Sequence, residues 1–107
     1  MEAKQPEVKL AGRVWRSAEG ALLVRVDQHG WMTQAPDLDS LGQAVSTLLT
    51  SAVTHVVRQK RLSDVFGVDN AVASFVVHVH FRLEEGVIPG AAGGSINYDL
   101  EPLKQAA

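Results

Sequence analysis

Residues 41–57 read LGQAVSTLLTSAVTHVV, and their spacing decides how the rest of the chain must be arranged. Leu41, Ala44, Val45, Leu48, Leu49, Ala52, Val53, Val56 and Val57 recur three and four positions apart. They form one apolar stripe on a helix of about four to five turns, wide enough to cover the face of a sheet. Asp37, just after Pro36, is placed as an N-cap whose carboxylate accepts from the orphan N–H groups of the first turn. Asp39 near the start, and Arg58, Lys60 and Arg61 near the end, complement the helix dipole. The opposite face (Gln43, Ser46, Thr47, Thr50, Ser51, Thr54 and His55) carries almost no fixed charge. Such a surface reads either as a tolerated polar face or as one that meets a partner.

The segments around the helix supply its sheet. Upstream, Val8, Leu10 and Val14 alternate with Lys9, Arg13 and Trp15. Gly12 interrupts the apolar row, as at a bulge or a close backbone approach. A turn over Ser17-Ala18-Glu19-Gly20 leads to a second strand with Leu22, Val24 and Val26 inward, and Gly20 is free to take positive φ. A second turn at Asp27-Gln28-His29-Gly30 precedes a short third strand over residues 31–34. Downstream, residues 62–73 read as a connection with one helical turn around Ser63 to Phe66. Phe75, Val77, Val79, Phe81 and Leu83 then alternate strictly with Val76, His78, His80, Arg82 and Glu84, the clearest strand in the chain. The segment GVIPGAAGG (86–94) is a loop, Ile96 to Leu100 an added edge strand, and Pro102 to Ala107 a frayed tail.

The reading is an α+β fold: a small antiparallel sheet in the order β-β-β-α-β, with an extra edge strand and one long helix packed on one face. A chain of 107 residues with 46% hydrophobic residues suits one domain over 1–107, its core at about 8–84. A net charge of −2 argues against both a strongly basic nucleic-acid binder and a heavily acidic DNA mimic. With no cysteine, disulfides, thiolate catalysis and Cys-based metal sites are excluded. No apolar run reaches the roughly 18 residues of a membrane span, and MEAKQPEVK lacks a signal-peptide core. A cytoplasmic location follows as the expectation.

Candidate chemistry is sparse. His78 and His80, at i and i+2 on a strand, project to one face and could grip a metal with a third ligand such as His55, His29 or Asp99. The alternative is a histidine pair on a polar face beside Arg82. Two-metal hydrolysis needs several convergent carboxylates, whereas the opening strands offer only Asp27 and Glu19. No GxSxG elbow is present, and GAAGGS lacks the Lys-Ser/Thr of a phosphate cradle. The chain is therefore expected to have no enzymatic activity and no cofactor. Arg58-Gln59-Lys60-Arg61 reads as helix-end charge, while Arg13, Arg16 and Arg25 could lie along the sheet. Trp15 is either an exposed anchor on the outer face of its strand or a residue tucked under the C-terminal loop.

The stretch from Arg13 to Leu49, RVWRSAEGALLVRVDQHGWMTQAPDLDSLGQAVSTLL, resembles the HicB-like antitoxin family. It shows the family's strand, acidic-glycine turn and second strand. Gly30, Trp31, Met32, Thr33, Gln34 and Ala35 then lead into the helix that opens at Asp37, Leu38 and Leu41. The resemblance implies a ββαβ-type partial ribonuclease-H-like sheet without nuclease activity, which binds and masks an RNA-cleaving toxin. Gln34, Pro36, Ser40 and Gln43 are neutral where the family is often acidic. The residues after Leu83 are few and Gly-rich for the family's separate DNA-binding segment.

The expected function is thus a non-enzymatic, antitoxin-like protein-binding module that inhibits a nucleic-acid-processing partner by occlusion. Two alternatives are a phage or mobile-element inhibitor of a host defence complex on the same scaffold, and a metal-dependent enzyme centred on His78 and His80. Trp15, Trp31, Thr47, Thr50, Thr54 and Arg58 are the expected partner-binding residues. Direct contact with nucleic acid or membrane is not expected, and an open sheet edge would allow a homodimer.

Overall fold

The computed structural model describes residues 5–101. In chain order the elements are β1 (Glu7–Arg16), β2 (Leu22–Val26), β3 (Trp31–Ala35), α1 (Leu38–Arg58), α2 (Leu62–Phe66), β4 (Val76–Leu83) and β5 (Gly94–Leu100). The five strands form one sheet in the order β3-β2-β1-β4-β5, with α1 packed across one face. The fold is α+β, but the sheet is mixed. β1, β2 and β3 are an antiparallel meander and β4–β5 an antiparallel pair, whereas β1 and β4 run parallel. This corrects the expectation of an antiparallel sheet, and the cause lies in the connection. β3 runs in the direction of β1, and α1 carries the chain back to the end where β3 began. β4 therefore sets out along β1, as a helical crossover requires.

The helix forms where its stripe predicts and buries Leu41, Val45, Leu49, Val53 and Val56. At its start, Asp37 accepts from the Ser40 N–H at 2.9 Å. At its end, the Lys60 N–H donates to Val57 O and the Arg61 N–H to Val56 O, with Lys60 at a φ of 55°. This 6→1 and 5→2 pairing is a Schellman closure, here made with lysine in the left-handed position that glycine usually takes. The short α2 ends on Gly67 at positive φ, and its Leu62 N–H is capped by Asn70 Oδ1 at 2.8 Å.

Alternation sends Val8, Leu10 and Val14, then Leu22, Val24 and Val26, then Val77, Val79, Phe81 and Leu83 to the helix side, where all are buried. Gly12 lies on the same side, with no break in pairing. A Cβ there would strike the Arg25 carbonyl oxygen and come within 2.6 Å of Phe81 Cε1. The interruption in the apolar row is thus a close approach: the Phe81 ring, opposite Gly12 in register, occupies the space that a side chain would need. Arg16, read from the sequence as one of the sheet's basic residues, instead joins loops. Its guanidinium donates to the carbonyls of Gly20, Gly86 and Val87 at 2.7, 2.9 and 3.1 Å. The expected tail from Pro102 to Ala107 lies outside the described residues.

Candidate functional site

The helix covers one face of the sheet, and among the described residues no element covers the other. Register fixes what the open face displays. In one row across the strands, Met32, Arg25, Arg13, Arg82 and Ser95 stand side by side on β3, β2, β1, β4 and β5. Three arginines on adjacent strands are about 4.8 Å apart at the backbone, an arrangement that like charges oppose. Glu84 is the sole carboxylate in salt-bridge range among the described residues, 3.9 Å from Arg13 Nη1. Arg25 and Arg82 form no ion pair there. The Nε atoms of Arg13 and Arg25 are shielded from solvent and find no hydrogen-bond acceptor. In the next row Trp15 lies opposite Leu23. The Arg13 guanidinium sits 5.0 Å from the centroid of the Trp15 ring, a cation–π contact that holds both side chains against the sheet. Met32 is 51% exposed.

Toward β5 the same face changes character. His78 donates from Nδ1 to Asp99 Oδ1 at 2.5 Å and from Nε2 to Glu7 Oε1 at 2.8 Å, joining β5, β4 and β1. The Asp99 and then the Glu7 hydrogen bonds raise the His78 pKa above its ordinary 6.5, because two acceptors on one ring favour the imidazolium. His80 pairs with Asn97 Oδ1 through Nδ1 at 2.7 Å. The two histidines share a face, as their spacing predicts, but they are parts of a strand clasp. With both nitrogens of His78 directed at carboxylates, that ring has no lone pair free for a cation. His55 lies on the exposed flank of α1, and His29 stacks on Trp31 at 4.6 Å between centroids. Among the described residues no group of three or more His, Asp or Glu side chains could hold a metal ion.

The six residues expected to bind a partner fall in four places. Thr50, Thr54 and Arg58 line one shallow depression on α1 with Ser51 and His55. Thr47 borders a second, between α1 and β3, together with Thr33, Ala35 and Ala44. Trp31 is on the helix side of edge strand β3, half-buried in a cluster with His29 and Phe66. Burial there lowers the pKa of His29. Only Trp15 stands on the open face, where it is half-buried. Sequence reasoning placed Arg13 and Arg25 along the sheet but missed Arg82 as their neighbour. The parallel register of β1 and β4, which sets Arg13 opposite Arg82, is a long-range pairing with no local signal.

Comparison with known proteins adds no relative: no family model, curated protein or solved structure matches the chain. Among the described residues no helix is long and apolar enough to cross a membrane.

Proposed function

We propose that this chain is a non-enzymatic protein-binding module that acts by occlusion, docking through the open face of its sheet. The observation that carries the reading is a sheet that, among the described residues, is covered on one side only, and whose open side sets Arg13, Arg25 and Arg82 beside Trp15, Leu23 and Met32. Arginine and tryptophan are the residues in which binding energy concentrates at interfaces. They are held here on rigid strands, so little side-chain freedom is lost on docking. Hairpin strands followed by a helix and a returning strand are compatible with the ββαβ-type core that the HicB-like resemblance implies. That supports an antitoxin-like inhibitor of a nucleic-acid-processing protein as the fuller form of the proposal.

The test is co-expression with the products of neighbouring genes, followed by size-exclusion chromatography and an activity assay of any partner recovered. The expected outcome is a stable complex in which the partner's activity falls, weakened at least tenfold by Trp15→Ala or Leu23→Asp. A complex indifferent to both changes, but broken by Thr47→Glu, Thr50→Glu and Thr54→Glu together, moves the interface to the helix and overturns docking through the sheet. Failure of every neighbouring product to bind overturns the module.

A further inference from the structure

The open face also indicates the chemistry of what it meets: the geometry points to an acidic protein segment, one carrying carboxylates interspersed with apolar side chains. The inference rests on the binding-module reading and deepens it. Arg25, Arg13 and Arg82 form a continuous row on β2, β1 and β4, while the chain as a whole carries a net charge of −2. The cations are therefore concentrated locally and do not reflect a generally basic surface. Guanidinium forks match carboxylates two bonds at a time. The Nε atoms of Arg13 and Arg25 are shielded, so it is the outer guanidinium nitrogens, on side chains that are still part-exposed, that such an anion would meet. Met32, exposed at the end of the same row, and Trp15 and Leu23 in the next row call for apolar contacts beside the charges.

A carboxylate partner is favoured over a nucleic acid by what borders the row. Glu84 stands on one side, and Glu7 and Asp99 hold His78 on the other. A phosphodiester backbone laid along the strands, with a charge about every 3.4 Å, would run past the row onto these carboxylates, and one laid across the strands would pass from the arginines onto uncharged Met32 and Ser95. The face also presents one indole, Trp15, already occupied by Arg13, where single-stranded nucleic acid needs several free stacking platforms. A short acidic segment ends before the repulsive border.

The experiment is fluorescence polarisation with three labelled probes: a peptide alternating Glu and Leu, its Lys and Leu counterpart, and oligo-dT. Each is measured against the wild-type chain, against the combined variant Arg13→Gln, Arg25→Gln and Arg82→Gln, and against the combined variant Thr47→Glu, Thr50→Glu and Thr54→Glu. Circular dichroism checks that both variants fold. The Glu/Leu peptide is expected to bind the wild type, to lose at least tenfold in the arginine variant and to keep its affinity in the threonine variant. The Lys/Leu peptide is expected not to bind. Absence of Glu/Leu binding, equal binding to the arginine variant, or tighter binding of oligo-dT overturns the acidic-segment inference. None of those results removes the binding-module reading, which stands or falls on the complex with a neighbouring gene product. If the glutamine variant does not fold, single Arg25→Gln and Arg82→Gln changes with the same probes decide the matter, each expected to weaken binding at least threefold.

Discussion

The two faces of this sheet are made by the same strands, residue by residue in alternation, and obey opposite rules. On the helix side the large side chains of β1 up to Val14, of β2 and of β4 are apolar and buried, and space is so short that one strand position is glycine. On the other side, long charged residues stand on adjacent strands with few partners. The contrast teaches that fold and binding are carried by separable sets of residues, one odd-numbered along β1 and one even-numbered. Substitutions on the packed face should cost stability, and those on the open face should cost recognition.

The largest effect is expected where packing is tightest. Phe81→Ala removes a fully buried ring and leaves a void over Gly12, at a cost of about 3–5 kcal/mol read from urea denaturation. Gly12→Ala is the converse experiment. The added methyl meets a backbone carbonyl that has little freedom to shift, and roughly 1–3 kcal/mol of destabilisation follows. Because both changes act on one contact, the double variant with Phe81→Leu should be less damaging than the sum of the two single changes, a coupling measurable by a double-mutant cycle. Additive costs would break the account of Gly12 as space lent to Phe81.

On the open face the sign reverses. Arg25→Thr relieves a directly opposed like-charge pair with Arg13 and places a β-branched residue in a strand, so the urea midpoint should rise by roughly 0.2–1 kcal/mol equivalent. A loss of stability of that size would show that the arginine row supports the fold and would erase the contrast between the faces. The smallest effect concerns His78. Its pKa is raised in the folded chain, chiefly by Asp99 and next by Glu7, so its contribution to stability is complete below the ordinary 6.5. That contribution is lost as pH rises through the higher folded value. The midpoint should therefore decline slightly as pH rises above 6.5, and His78→Gln should flatten the decline. A nuclear magnetic resonance titration of His78 that falls below 6.5 would contradict the clasp.

Much of this arrangement could be read from the sequence because local chemistry determines it. The stripe from Leu41 to Val57, the cap at Asp37, the turn at Gly20 and the alternation from Phe75 to Leu83 each depend on neighbours a few residues away. The direction of β4 did not belong to that class. Alternation is blind to whether a strand lies parallel or antiparallel to its partner, and only the return path of α1 settles it. The same blindness hid the candidate site. Arg82 was visible as an outward residue beside two histidines, but its place next to Arg13 depends on pairing between distant segments. Conversely, the histidine pair looked like a ligand set because the sequence shows the rings without the carboxylates that meet them. Glu7 reaches His78 across the β1–β4 seam and Asp99 across β4–β5.

That seam also has a consequence for the order of assembly. β1 is shared unequally: Gly12–Arg16 pair with β2 and Glu7–Val14 pair with β4. The meander closes through short turns, but Val8 meets Val77 about 70 residues later, so the middle of the sheet is the slow step in folding. During synthesis the β4 side of β1 stays bare until residues 76–83 have left the ribosome. The strand at the centre of the finished sheet is thus an exposed edge until then, and rapid arrival of β4 is its protection against stray pairing.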